Sequence, residues 1–579
     1  MAQNAQEDYL KAKEFFNNGE YSFASEYFKK VARENGPLRE YASFYFALSS
    51  YKNGQLGLAR SMWLQMESKY PRWNRMEEVR YWLSKVYMEE GAYDKGLVYA
   101  KQLGKEIETS LIAECLSGLD SLSQLKALYH QFPGEKLIGT ALADSMVSQP
   151  LSQRNFPELF QIVQKFDLDR AHYGLPEIGS SEIKEEYRVA VLLPFFFDGM
   201  DNAIRTARNK GIMDLYFGIE EAVKVLNEKS DSKIRLYPYD TKKNADTTRV
   251  IFEKEEMKSM DLFIGPLFPE PSEIALDFSY NQKINIINPL STNSSLIQFN
   301  PYSFIFRPTT ETQALVAAEM LRDSLENKYA MIFYENNEKD SLSAYTYAQR
   351  IQEYGYEVLL NVGVVDTTVR AQFDMLTEKY ELIYTEQQKD SVLLIDEDRI
   401  IKERKSIEEK DQIELYEEFF TIAPDSIGHI YVASSRPLFA SNFISAVEIR
   451  NDSTLIIGRG NWKSFETVTF EELERLGVLL VDPQYVDIHD DTFQNFRKKF
   501  INTYRYVPSL NTQLCYEMMM YFGSMLKKYG TYFQNGTNQE GFVPGLLFQG
   551  TDFTFSNSNQ YVPITKFKNS KTVIINPQN

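Results

Sequence analysis

The spacing of apolar residues along the chain changes once. Up to about residue 170 they recur three and four apart, the period of amphipathic helices. Beyond residue 187 they gather into short runs separated by helical stretches: "RVAVLLP", "GIMDLYFGIEEAVKVLN", "KIRLYPYD", "DTTRVIFEKEEM", "DLFIGPL", "SEIALDFSYNQK", "INIINP". Strands apolar throughout and alternating with helices predict a parallel sheet covered on both faces. The alternation resumes after Arg307 with "YAMIFYE", "YTYAQRIQEYG", "YEVLLNVG", "HIYVAS", "FISAVEIRN" and "TLIIGRG". We read two doubly wound α/β lobes, with a carboxyl-terminal return that completes both. Between the two regimes, "AHYGLPEIGSSEIKEE" mixes Gly, Pro, Ser and charge, the mark of a linker. The expected division is an all-α unit at 1–175, a linker at 176–186 and a two-lobed unit at 187–579. Within the latter, lobe 1 spans about 187–308 plus carboxyl-terminal segments, and lobe 2 about 326–460.

The helical region repeats. Gly19-Glu20-Tyr21 with Ala24 and Phe28 returns as Gly54-Gln55-Leu56 with Ala59 and Trp63, then as Gly91-Ala92-Tyr93 with Gly96 and Ala100, at spacings of 35 and 37 residues. A glycine turn joins two helices, a small residue lets them approach, and an aromatic fills the groove beside it. This resembles tetratricopeptide repeats, with Tyr70-Pro71 closing the second unit. The resemblance implies a concave protein-docking surface. Tyr21, Leu56 and Tyr93 read as core, and Tyr9, Tyr41 and Tyr45 as exposed contacts for a protein partner.

Composition narrows the function. A net charge of −18 opposes a row of nucleic-acid phosphates or an anionic lipid surface. No apolar stretch approaches the ~18 residues of a membrane span, and Met1-Ala2-Gln3-Asn4 does not read as a signal peptide. Cys115 and Cys515 sit in apolar patterns and read as buried free thiols. Four histidines, no His-Glu-x-x-His and no phosphate-binding glycine loop leave neither metal nor cofactor in the reading. "VDIHDD" reads as a solvated turn, and the Met518-Met519-Met520 run with Tyr516 as core packing. We find no catalytic constellation and expect no enzyme.

"VAVLLPFFFDG", "DLFIGPL", "INPLSTNSSL" with "YSFIFRPT", and "FRKKFINTYRYVPSLNTQLCYEMMMYF" fall in the order of the type 1 periplasmic binding proteins, the fold of branched-chain amino-acid receptors, which 187–579 resembles. Joined to the helical repeats, the layout resembles the lipoprotein activators of penicillin-binding proteins. Ligands of open α/β sheets bind outside the carboxyl ends of the strands. The cleft candidates are therefore Phe195, Thr241, Leu290, Ser291 and Thr292 on lobe 1, and Asn336, Ser434, Ser435, Arg436, Arg459 and Trp462 on lobe 2. In amino-acid receptors the corner equivalent to Ser291-Thr292 binds the ligand's charged groups. Here the opposite loop, Phe268-Pro269-Glu270-Pro271, is short of N–H donors, and "GRGNW" offers Arg459 and Trp462 but no acid for an ammonium. We expect the corner to be structural, with Ser291 or Thr292 capping a helix.

One segment exceeds what this fold requires. Residues 381–425 carry thirteen acidic and six basic residues between Glu381 and Glu418, with Ile and Leu at helical spacing. Two readings stand, a solvated helical insertion and a partner-docking element. The functional expectation is a non-catalytic binding or adaptor protein of the cell envelope. Its repeats would dock a protein partner, and the resemblance places it in the periplasm or at the outer membrane. The alternative is a solute receptor delivering an amino acid or other small polar ligand to a transporter.

Overall fold

Helical pairs build the first unit, Met1–Glu177, of the computed structural model. The structure describes every residue except 1, 120, 150–155, 171, 174–180, 198–202, 229–230, 299, 323, 366–367, 396–398, 406–412, 555 and 577–579. Helices α1 (Ala2–Asn17), α2 (Tyr21–Arg33), α3 (Arg39–Lys52), α4 (Leu56–Lys69), α5 (Met76–Glu89) and α6 (Tyr93–Ala100) form three hairpins. Gly19, Gly54 and Gly91 turn between partners at φ of +82°, +76° and +78°, a conformation other residues rarely adopt. Ala24, Phe28, Ala59, Trp63 and Ala100 are fully buried. A side chain on Gly96 would place its Cβ 2.7 Å from Met88 Cγ and 3.0 Å from the Ser84 carbonyl. Four further helices, Lys105–Ser117, Leu122–Gln131, Lys136–Ser148 and Phe156–Lys165, continue the unit.

The tyrosines expected to stand exposed do not. Tyr9, Tyr41 and Tyr45 are half-buried. Tyr9 meets Phe28 edge-on at 5.6 Å, Tyr45 stacks on Phe28 at 5.4 Å, and Tyr41 meets Trp73 edge-on at 5.4 Å. Their rings join helices, because an aromatic spanning two hairpins gains more by packing than by facing water. Tyr21, Leu56 and Tyr93, read as core, are also half-buried.

The second unit, Ile178–Asn579, holds two sheets. Strands β1 (Glu186–Leu193), β2 (Lys233–Asp240), β3 (Leu262–Ile264), β4 (Asn285–Asn288) and β5 (Ser303–Ile305) pair in parallel in the order β2-β1-β3-β4-β5. Val189, Val191 and Leu193 pack against helices Ala203–Glu228 and Leu510–Tyr529, where Met518 and Met519 are fully buried. The chain then forms β6 (Tyr329–Glu335), β7 (Glu357–Val364), β8 (Lys379–Tyr384), β9 (Lys402–Lys405), β10 (Ile413–Phe420), β11 (His429–Ala433), β12 (Leu455–Arg459) and β13 (Leu479–Val481). It returns to lobe 1, makes a hairpin of β14 (Phe542–Pro544) and β15 (Gly550–Asp552), and ends in lobe 2 with β16 (Ile564–Lys568) and β17 (Lys571–Ile574). The lobe 2 sheet runs β17-β16-β13-β12-β11-β6-β7.

Three expectations are corrected here. Lobe 2 extends beyond 326–460: helix Thr310–Glu319 packs into its core, and β13, β16 and β17 widen its sheet. The insertion is mainly β rather than helical, with one helix, Glu386–Ile395, beside an antiparallel sheet ordered β8-β10-β9. Arg404 lies 3.1 Å from Glu414 and 2.8 Å from Glu381, and Lys402 lies 2.8 Å from Glu418, so ion pairs across the ladder replace pairs along a helix. In the linker, residues 176–180 lie outside the described ones, but the next residues are anchored to lobe 1. Ser181 donates to the Tyr529 carbonyl, and Lys184 pairs with Asp261 at 2.6 Å.

Candidate functional site

Three segments cross between the lobes: 306–309 after β5, 482–490 after β13, and 553–563 before β16. They are tied to one another and to the lobes. The Ile305 amide donates to the Asn557 carbonyl at 2.8 Å, that of Asp482 to the Pro563 carbonyl at 2.9 Å, and Arg307 Nη2 reaches Gln484 Oε1 at 3.4 Å. The carboxyl ends of both parallel sheets meet this hinge.

On lobe 1 the corner after β4 is held by its own hydrogen bonds, and residues other than Ser291 and Thr292 do the capping. Asn288 Oδ1 accepts from the amides of Leu290 (3.1 Å) and Ser291 (2.9 Å), and Asn293 caps the short helix Ser294–Leu296. Ser291 Oγ accepts the Asn293 amide at 3.0 Å, within the turn. The Thr292 carbonyl accepts the Thr310 amide at 3.0 Å, and its hydroxyl accepts from Thr310 Oγ1 at 3.3 Å, tying the corner to the first helix of lobe 2. Both side chains are thus committed inside the fold. Helix Pro269–Gln282 begins opposite the corner with prolines at 269 and 271, so its first turn lacks two donors.

Phe195 is buried, its ring 4.9 Å from that of Phe197, and its carbonyl accepts Asn209 Nδ2 at 2.8 Å. The exposed aromatics here are its neighbours: Phe196, with a left-handed backbone at φ 52°, and Phe197. "PFFF" alone could not say which of the three turns outward. Thr241 is buried, and its hydroxyl has no partner among the described residues.

On lobe 2 the candidates separate. Trp462 is fully buried; its indole N–H donates to the Ser434 carbonyl at 3.0 Å, and its ring packs over Gly458 and Phe443. It is a core residue and offers no face to a planar ligand, a correction. Ser434 is buried beneath it, accepting the Arg436 amide at 3.2 Å. Asn336, Ser435 and Arg436 remain exposed at the strand ends. Three acids on this wall already have cations: Glu335 pairs with Arg436 at 3.0 Å, Asp340 with Arg459 at 3.3 Å, and Asp482 with Lys463. Residues that sequence reading missed, Arg307 and Lys339, stand beside the second pair. Burial lowers the Arg307 pKa; burial, then Arg459 and Arg307, lowers that of Lys339.

Other sequence candidates settle inside the structure. Asp490 caps helix Asp491–Tyr504 by accepting the Thr492 and Phe493 amides, and Asp487 accepts the His489 amide at 2.9 Å. Cys115 and Cys515 are buried free thiols. No helix among the described residues is long and apolar enough to cross a membrane.

Two lobes, one with a parallel sheet and one with a parallel sheet extended by the antiparallel β16 and β17, joined by triple crossovers and a terminal return to both, decide the architecture. The second unit has the type 1 periplasmic-binding-protein fold. No protein-family model matches the chain, and no curated protein does. Among solved structures, full-length LpoA from Haemophilus influenzae is similar over 99% of this chain and 94% of its own, at 12% identity and a TM-score of 0.47. An ABC transporter substrate-binding protein from Desulfitobacterium hafniense, in complex with Leu, matches 67% of this chain and 100% of its own, at 14% identity and a TM-score of 0.42. A putative branched-chain amino acid ABC transporter protein from Rhodospirillum rubrum matches the same shares at 12% identity and a TM-score of 0.46.

Proposed function

We propose that this protein is a non-catalytic adaptor of the cell envelope, periplasmic or outer-membrane-associated. Its helical repeats dock a protein partner, and its two-lobed unit serves as a second recognition or regulatory element. The observation carrying this reading is the state of the hinge-facing wall: Glu335, Asp340 and Asp482, three acids that could take a ligand's ammonium, are already paired with cations, and the facing helix begins with two prolines. A free amino acid would be buried with too few partners, at ~1–3 kcal/mol for each hydrogen bond left unmade. The layout of repeats before such a unit resembles that of lipoprotein activators of penicillin-binding proteins, which is why we place the partner in an envelope or peptidoglycan-assembly machine.

The test uses immobilised full chain and immobilised residues 178–579, both checked for folding by thermal melting, as baits for detergent-solubilised envelope. A protein captured by the full chain and lost with the truncation supports the adaptor. Equal capture by both removes the repeats as the docking surface. Micromolar binding of leucine, isoleucine or valine by the full chain would replace this reading with the solute receptor.

A further inference from the structure

Beside the hinge Arg459 pairs with Asp340, and Arg307 and Lys339 stand close by. Arg459, 5% exposed, reaches Asp340 Oδ1 at 3.3 Å through Nη2 and Gln313 Oε1 at 3.5 Å through Nη1. Gln313 in turn donates to the Pro308 carbonyl at 3.0 Å, one residue from Arg307. Arg307 donates to the Leu290 carbonyl at 3.1 Å and to Gln484 at 3.4 Å. Ordinary N–H···O bonds run from 2.7 to about 3.2 Å, so only one of the four guanidinium contacts is of normal length. The Nε atoms of Arg307 and Arg459 are buried without a partner among the described residues. Lys339, next in sequence to Asp340, is exposed at the rim and has no ion pair among the described residues. Of the other acids nearby, Asp482 holds Lys463 and Glu335 holds Arg436, while Glu311 accepts from Ser294 at 2.6 Å and keeps one buried oxygen without a partner among the described residues.

Around the buried pair of Asp340 and Arg459, the half-buried Arg307 and Lys339 at the exposed rim add positive charge, in a chain whose net charge is −18. Buried charge is costly unless paired, and guanidinium pairs best with a carboxylate or phosphate that accepts from two of its N–H groups. We infer that the hinge holds a small dianion, a dicarboxylate or a phosphate group, gripped by Arg307 and Arg459 and closed over by Lys339. The site draws on both lobes, Arg307 following β5 of lobe 1 and the other two belonging to lobe 2, so its occupant would bias the lobes toward one arrangement. This goes beyond the adaptor reading and does not depend on it.

Calorimetric titration of the full chain at low ionic strength with succinate, with inorganic phosphate and with leucine tests the inference. Lys339→Gln is the informative variant, because the side chain is exposed and unpaired and its loss should leave the thermal melt unchanged. We expect one dianion to bind below about millimolar, to weaken with added salt, and to lose at least about tenfold in affinity in the variant. Succinate alone binding assigns a dicarboxylate, and phosphate alone a phosphoryl group. No dianion binding below about millimolar, binding indifferent to Lys339→Gln, or leucine binding as tightly would each overturn it. Envelope capture does not enter this measurement, so the adaptor proposal can fail while this one stands, and the reverse.

Discussion

His429 opens β11 fully buried, and neither ring nitrogen has a hydrogen-bond partner among the described residues. Tyr356 lies edge-on at 5.0 Å and Tyr347 at 5.9 Å, while Lys328 sits over the Tyr356 ring. A charged imidazole would have no acceptor there, and burial, with a smaller push from Lys328, lowers its pKa from 6.5 to about 3. The unfolded chain therefore binds this proton more tightly than the folded one. The stability His429 contributes is full above pH 6.5 and drains as pH falls toward 3. At pH 5 the loss is the 1.5-unit gap times 1.36 kcal/mol, roughly 2 kcal/mol. The absolute curve will not show it cleanly. Burial pushes Glu517, whose carboxylate accepts the Leu546 and Leu547 amides, up to about 7. That group's contribution is full below 4.5 and lost as pH rises through 7, the opposite sign. The comparison must therefore be between wild type and His429→Phe, which keeps a planar ring between the tyrosines. Urea unfolding at pH 7.5 and 5.0 should show wild type losing about 2 kcal/mol relative to the variant. The histidine resonance absent from the variant should remain that of a neutral ring at pH 5. A stability difference unchanged by pH, or a resonance that titrates above pH 6, would refute the account.

Three further outcomes are expected. Gly96→Val should destabilise the repeats by about 1–3 kcal/mol, since its side chain meets Met88 and the Ser84 carbonyl; an unchanged melting temperature would show that α5 and α6 can separate without cost. Titration with free leucine should give no binding near micromolar, and Thr292→Ala should not alter that, because the Thr292 hydroxyl already bonds to Thr310. Residues 1–177 and 178–579, expressed separately, should each melt cooperatively; two fragments without a transition would deny their independence.

The repeats were legible because each position carries one demand: glycine at a left-handed turn, a small residue at a close approach, an aromatic in a groove. The lobes were legible because strands such as "VAVLL" and "NIIN" are apolar on both faces. What failed to read was direction and distance. As a strand "IELYEEFF" places Leu415 and Phe419 on one face and Tyr416 and Phe420 on the other, but its apolar residues recur three and four apart between charges, which disguised a strand as helix. "GRGNW" could not show that Trp462 folds back over Gly458 into the core. The pairing of Arg459 with Asp340 spans 119 residues, and no local pattern announces it.

The closing helix of lobe 1 has a consequence for synthesis. Sheet β1–β5 is complete at Ile305, but helix Leu510–Tyr529, which covers one of its faces, lies two hundred residues later. At ~5–20 residues per second, the ribosome takes roughly 10–40 s to deliver it. Through that interval Val189, Val191, Phe304 and Phe306 lack the cover of helix Leu510–Tyr529, while most of lobe 2 emerges. A nascent chain so arranged presents an adhesive half-lobe to its surroundings for longer than most domains take to fold. Its yield in the cell should be set by whatever chaperone occupies that face until the last quarter of the protein arrives.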